Sequence, residues 1–139
     1  MSEDADRINV VRQWMEKAEN DLRTAEHTIK LRKNCPFDTV CFHSQQCAEK
    51  YLKAMLTLHN VPFPKSHDLS ELILLLPRHL TINVKKDELS TLNRYSVETR
   101  YPGDFEDLTR QDAKEAIAIA RKIKREIRRW MPKAVVNNI

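Results

Sequence analysis

The 139-residue chain contains a single glycine, Gly103. Dinucleotide-binding fingerprints and P-loops both need several glycines, because the backbone must approach the phosphates closely, so both kinds of site are excluded. A β-rich fold with many tight turns is disfavoured for the same reason. The scarcity of glycine therefore favours a helical protein without a glycine-rich nucleotide loop.

Cysteine is also scarce, and the three cysteines, Cys35, Cys41 and Cys47, cannot all pair with one another as disulfides. They form no Cys-x-x-Cys pair, and three of the five histidines have no acid or cysteine at metal-ligand spacing. We therefore expect buried, reduced thiols, and the sequence predicts neither a metal site nor a cofactor.

Long apolar segments are missing as well. The run of leucine and isoleucine at 72–76 is far too short to cross a bilayer, and no apolar run of 18 residues exists. The chain does not begin with a basic and apolar leader. We expect a cytoplasmic protein without a membrane partner.

Charge is present but unevenly distributed. The net charge is +4, and residues 121–133 contain seven cations against one acid, Glu126. This segment is either the solvated face of an amphipathic last helix or a basic strip that meets RNA phosphates or an acidic partner. The excess of positive charge is too small to decide between these two interpretations. The seven cations are Arg121, Lys122, Lys124, Arg125, Arg128, Arg129 and Lys133.

Helical periodicity is the strongest positive signal. Apolar residues recur at steps of three and four in four long stretches, at about 7–32, 40–58, 85–101 and 110–131. A shorter leucine-rich stretch at 69–76 predicts one additional helix. We predict an all-α fold, an up-down antiparallel four-helix bundle plus one short helix.

The length and continuity of the pattern indicate a single domain over residues 1–139. Its core is expected to span about 7–131. The segments 1–6 and 132–139 are expected to be frayed ends, because the first is polar and the second follows Pro132, which ends the last helix.

The stretch 40–58 organises the rest of the chain. It carries two adjoining apolar stripes, which predict a helix packed on two sides at the centre of the bundle. His43, Gln46, Lys50 and Lys53 fall together on the remaining polar face. The first three are interpreted either as a partly exposed surface or dimer contact, or as ligands for a nucleotide or RNA phosphate. By contrast, His67 precedes an N-cap position, and its ring is expected to hydrogen-bond locally.

Three separated motifs carry a family resemblance. The run F-H-S-Q-Q-C-A-E-K-Y-L-K-A at 42–54, S-H-D-L at 66–69 and R-Y-P at 100–102 together resemble the HEPN family. The resemblance extends roughly from Trp14 to the last helix. It implies the same helical bundle, usually paired as a homodimer. The family combines ribonucleases with members of unclear chemistry.

In ribonuclease members of this family, an arginine is followed four to six residues later by a histidine, and often by a tyrosine two residues after that. Here Arg94 matches the arginine and Tyr101 the tyrosine, whereas Thr99 stands at the histidine position. A threonine hydroxyl is a poor base at neutral pH, and the neighbouring Arg100 does not deprotonate. The sequence therefore leaves open whether the protein is an enzyme.

The segment around this motif has two interpretations. In one, Arg94 and Arg100 pair with nearby acids and the tyrosines pack against the helix end. In the other, both arginines and Tyr101 bind a nucleotide or RNA phosphate together with His43, Gln46 and Lys50.

HEPN chains of this size resemble those encoded beside a minimal nucleotidyltransferase in toxin–antitoxin-like pairs. The resemblance implies a module that binds this partner and a nucleotide or RNA phosphate, with Tyr101 as the hydroxyl that accepts an AMP group. One alternative is a metal-independent endoribonuclease toxin whose altered site uses Arg94, Arg100 and His43. Another is a non-catalytic structural dimer. No DNA partner is predicted.

Overall fold

The computed structural model describes residues 2–96 and 107–137, and within these ranges the chain is helical without strands. The all-α prediction is thus confirmed. None of the described helices is long and apolar enough to span a membrane. The helices are α1 (Glu3–Thr28), α2 (Phe37–Leu58), α3 (Leu69–Leu74), α4 (Lys86–Asn93), α5 (Arg110–Arg128) and α6 (Lys133–Val136).

Contacts between the long helices define their directions. A short connection at 29–36 returns the chain along α1, so α2 runs antiparallel to α1. Arg121 in the middle of α5 pairs with Glu26, and the later Arg128 pairs with the earlier Glu19. Helix α5 is therefore antiparallel to α1 and parallel to α2, as an up-down bundle requires.

Helix α2 is the centre of the bundle. It packs against α1 and α5 on two sides and contacts α3 and α4 on a third. Both apolar stripes of the sequence pattern are therefore buried. Cys41 and Cys47 lie in this core as free thiols, and burial raises the pKa of Cys41 to about 12. The fully buried apolar side chains of α2 are Val40, Cys41, Cys47, Ala48, Tyr51, Leu52, Ala54, Met55 and Leu56.

The end of α2 is fixed by a left-handed residue, Asn60, whose φ is 57°. Asparagine tolerates this conformation better than most residues with a Cβ. The Val61 N–H then donates to the Leu56 carbonyl at 2.9 Å, and the Asn60 N–H donates to the Thr57 carbonyl at 3.1 Å. This is the Schellman arrangement, which satisfies carbonyls that the helix itself leaves unpaired.

The predicted frayed start is helical from Glu3 onward, so the predicted boundary near Arg7 is wrong. The Ser2 hydroxyl accepts a hydrogen bond from the Ala5 N–H at 3.2 Å and caps α1. Acids in the first turn are favourable there because the N-terminal end of a helix carries partial positive charge. At the other end, α1 stops at Thr28 instead of near residue 32.

The prediction of a frayed tail is also wrong for residues 133–136, which form the short helix α6. Val135 is fully buried against the core. An Arg12 guanidinium nitrogen donates to the Asn137 carbonyl at 2.8 Å and ties this end of the chain to α1. Sequence periodicity missed this segment because the three consecutive apolar residues 134–136 are too short a run after Pro132 to show a helical repeat.

Helix α4 ends at Asn93 instead of at the predicted position near residue 100. The Tyr95 N–H donates to the Leu92 carbonyl, which closes the helix in a tighter turn. The Asn93 side chain reaches the start of α3, where its Oδ1 accepts from the Leu69 N–H at 2.8 Å and its Nδ2 donates to Asp68 at 2.9 Å. The end of α4 is thereby joined to the S-H-D-L segment.

Glu19 joins the three long helices. It is only 7% exposed, and it accepts a hydrogen bond from the Tyr51 hydroxyl of α2 at 2.6 Å. From α5, Lys124 lies 2.8 Å and Arg128 3.2 Å from the same carboxylate. Burial opposes ionisation of Glu19, but the hydrogen bonds from Lys124 and Tyr51 and the two positive charges outweigh it and lower its pKa.

The buried tail residue gives a stability test. Val135→Ala should lower the free energy of unfolding by about 2 kcal/mol, because it removes two buried methyl groups from a packed site. Val10 is 41% exposed, so Val10→Ala is the matched control and should change stability by less than about 0.5 kcal/mol. Urea unfolding followed by circular dichroism measures both. Equal effects of the two substitutions would show that α6 does not pack as described.

Candidate functional site

The polar face of α2 forms a narrow, half-buried strip between α1 and the start of α3. It contains the three residues predicted from the sequence, His43, Gln46 and Lys50, and we call it the α2 strip. They share this face because steps of three and four residues return to one side of a helix. The structure places these three together, as predicted.

An acid from α1 lies beside this strip. Asp21 contacts His43 Nδ1 at 2.7 Å through one carboxylate oxygen and binds Lys50 Nζ through the other. Since a carboxylate only accepts hydrogen bonds, the proton lies on His43 Nδ1. The positive charge of Lys50 is thus compensated within the protein, and the orientation of the His43 ring is fixed.

A second acid, Glu49, lies one helical turn after Gln46 on α2 and is buried, with only 3% of its surface exposed. Its carboxylate oxygens accept from Gln45 Nε2 at 3.2 Å and Lys53 Nζ at 3.0 Å. It also holds His67 Nδ1 at 2.9 Å. The Gln46 amide donates to Gln45 Oε1 at 2.8 Å, so Gln46 of the α2 strip is connected to this network.

The ionisation of Glu49 follows from these contacts. Burial opposes the charged form, but the hydrogen bonds from His67, Lys53 and Gln45 outweigh burial and lower the pKa of the Glu49 carboxyl. Glu49 is therefore a carboxylate at neutral pH, and His67 carries its proton on Nδ1.

The contacts of Asp21 and those of Glu49 have a common pattern, because each acid binds one histidine through Nδ1 and one lysine. They differ in exposure, since the side chain of His67 is 63% exposed and that of His43 is 23% exposed. With Nδ1 engaged, Nε2 is the nitrogen that His67 presents to solvent. An imidazole oriented in this way can accept or donate a proton at Nε2.

Sequence reasoning missed this pair. The ring of His67 was expected to hydrogen-bond locally, but it reaches Glu49, which is 18 residues away. One signal was available, because Glu49 lies on α2 between the apolar stripe that contains Ala48 and Leu52 and the polar face, and a buried acid requires donors or a cation. The sequence gives no indication of which element supplies them.

The arginine of the family motif lies on another element. Arg94 is the exposed C-cap of α4, and its charge acts on Cys41 of α2, lowering the pKa of that thiol against the larger effect of burial. Its neighbour Asn93 caps α3, close to His67. The motif residues Thr99, Arg100 and Tyr101 lie outside the described residues. Within the described ranges, no group of three or more His, Cys, Asp or Glu side chains is arranged to hold a metal ion.

Comparison with known proteins identifies the family and a relative. The HEPN domain model matches residues 11–130 of the chain. A protein of Methanocaldococcus jannaschii named "Putative toxin MJ1304" is 27% identical, and the match covers 84% of each chain. The range matched by the HEPN domain model includes all of α2 and the residues that contact Asp21 and Glu49.

Two solved structures have similar folds. TT1696 from Thermus thermophilus is 28% identical with a TM-score of 0.72, and the match covers 87% of this chain and 98% of that one. ST0689, an archaeal HEPN homologue, is 28% identical with a TM-score of 0.61, covering 85% and 94% of the two chains. These matches agree with the all-helical bundle and with the resemblance carried by the sequence motifs.

The Glu49 network predicts a pH-dependent loss of stability. Glu49→Gln should lower the free energy of unfolding by about 3 kcal/mol at pH 7, because the buried Lys53 ammonium loses its anionic partner. The folded-state pKa of Glu49 lies below its ordinary value of 4.5, so this stabilisation is present above pH 4.5 and is lost as the pH falls through the folded-state pKa. Urea unfolding at a series of pH values measures the difference.

The exposed Glu115→Gln is the control and should change stability little at any pH. A difference between Glu49→Gln and the wild type that stays constant down to pH 3 would contradict the assigned ionisation of Glu49.

Proposed function

The chain belongs to the HEPN domain family, and we propose that it is the toxin-like member of a toxin–antitoxin-like pair. In this proposal it binds a minimal nucleotidyltransferase as its partner and a nucleotide or RNA phosphate as its ligand. The relative from Methanocaldococcus jannaschii supports the first part, because its name describes a toxin and the match covers most of both chains. A homodimer is the proposed assembly.

The observation that carries this proposal is the α2 strip, with His67 beside it. His43 and Lys50 share one face of α2, and His67 binds Glu49 of the same helix; a phosphate oxygen accepts from all three of these donors. Asp21 and Glu49 compensate the two lysines of the networks, so the surface is close to neutral. We infer that net attraction for a phosphate comes from the motif arginines, Arg94 and Arg100.

Adenylylation tests the partner. In the proposed step the Tyr101 hydroxyl oxygen gives up its proton to solvent and bonds to the α-phosphorus of ATP, the bond from this phosphorus to the bridging oxygen of the β-phosphate breaks, and pyrophosphate leaves. After co-expression with the cognate nucleotidyltransferase, intact-mass spectrometry should find one AMP on the wild type and none on Tyr101→Phe. An adduct on Tyr101→Phe would exclude Tyr101 as the acceptor, and no adduct together with no co-purification would exclude this partner.

A second function, metal-independent RNA cleavage, is favoured by one contact, that between Glu49 and His67. Thr99 stands at the histidine position of the motif, but His67 supplies an oriented imidazole whose Nε2 can take the proton from a 2′-hydroxyl. An arginine such as Arg94 would stabilise the pentavalent phosphate. His43, the histidine expected for this role from the sequence, is less exposed than His67.

RNA cleavage by the purified protein tests this second function. His67→Ala should lower kcat roughly 100-fold or more with little change in KM, since the proposed role is proton transfer. Arg94→Ala should also lower kcat. The exposed His27 lies on α1, and His27→Ala should retain wild-type activity. Equal cleavage by the wild type, His67→Ala and Arg94→Ala would show that the activity is a contaminant or arises at another site.

A further inference from the structure

An open, cation-rich groove lies between α1 and α5. Its volume is about 600 Å³, and five of its seven lining side chains are positively charged. It contains most of the basic segment that the sequence analysis singled out between 121 and 133. We call it the α5 groove. Its lining residues are Leu22, Glu26, Arg121, Lys124, Arg125, Arg128 and Arg129.

Ion pairs hold most of these cations in place but do not neutralise the groove. Lys124 and Arg128 share one carboxylate, that of Glu19, as described above. Arg121 pairs with Glu26, and Arg129 pairs with Glu126 at 3.3 Å. Among the residues that the structure describes, the five cations therefore face three carboxylates. Counted over these residues, a positive excess of two remains on the groove.

Arg125 carries part of this excess. It is exposed, and within the described part of the chain it forms no ion pair with a carboxylate. Arg121, Arg125 and Arg128 follow one side of α5 at steps of four and three residues. Each step advances about 5 Å along the helix axis, so the guanidinium groups form a row.

The lining chemistry favours a polynucleotide backbone over a protein. Leu22 is the one apolar residue among those lining the groove, and no aromatic side chain is among them. A protein partner normally needs apolar or aromatic anchors, and base recognition in a single strand needs aromatic rings for stacking. Phosphate binding needs neither, and the planar arginine fork matches two phosphate oxygens.

The α5 groove is separate from the α2 strip. Glu19, which underlies the groove, and Asp21, which contacts the strip, are two residues apart on α1 and therefore project about 200° apart around its axis. The two surfaces lie on opposite flanks of α1. Binding at the groove does not depend on the function proposed for the strip.

We propose that the α5 groove binds the phosphate backbone of RNA without reading its bases. The contacts are charge-assisted hydrogen bonds from Arg121, Arg125 and the cations beside them. Because the excess charge is small, binding is weak and salt-dependent, with a slope of log K against log salt of about −1.4 for two single-strand phosphates.

Fluorescence anisotropy of the full chain with labelled oligouridine and oligocytidine at several salt concentrations tests this proposal. Arg125→Ala should weaken binding of both oligonucleotides roughly three- to tenfold and reduce the salt slope by about 0.7. Arg125→Lys should retain the slope and lose part of the affinity. Lys17→Ala is the control, because Lys17 is an exposed cation on another face of α1 and its loss changes the net charge equally.

Three results would overturn the proposal. One is equal binding by Arg125→Ala and Lys17→Ala. A second is loss of binding in Lys50→Ala but not in Arg125→Ala, which would assign RNA binding to the α2 strip. The third is tighter binding of polyglutamate than of RNA, which would assign the groove to an acidic protein segment.

Discussion

The carboxylate of Glu19 is buried where α1, α2 and α5 meet, and the arrangement of the three long helices depends on it. An unpaired buried charge would cost several kcal/mol, so the bundle is stable only in a register that brings Tyr51, Lys124 and Arg128 to this acid. Lys124 and Arg128 are one turn apart on α5 and reach the same group. Their position fixes which face of α5 remains outside the core, and that face lines the α5 groove.

The same requirement shapes the other flank of α1. Asp21 and Glu49 are also largely buried acids, and each is satisfied by one lysine and the Nδ1 of one histidine. Lys53 lies in addition 5.6 Å from the ring of Trp14 and 5.7 Å from another aromatic ring, so its charge is stabilised on several sides. The consequence is chemical as well as structural, because stabilising the acid also orients an imidazole.

Sequence periodicity predicted the helices well where burial follows a regular repeat, as it does in α2 and α5. It predicted that His43, Gln46 and Lys50 share a face, since this depends only on helix geometry. It failed where the position of a side chain depends on a partner far away in the sequence. The contact of His67 with Glu49 and the capping of α3 by Asn93 each join separate elements, and no local pattern encodes such pairs. Likewise, α1 begins early because of one serine cap.

The distribution of charge separates the two flanks of α1 by what each can do. Around the α2 strip the acids compensate the lysines, so this flank offers oriented histidines but little net attraction for an anion. The α5 groove has an excess of cations and no oriented histidine among its lining residues. A helix with its side chains is about 10–12 Å across, so one polynucleotide strand crossing α1 could contact both flanks. The α5 groove would then supply the long-range attraction, and the histidines of the other flank would supply the proton transfer. Neither effect depends on a histidine at the motif position that Thr99 occupies.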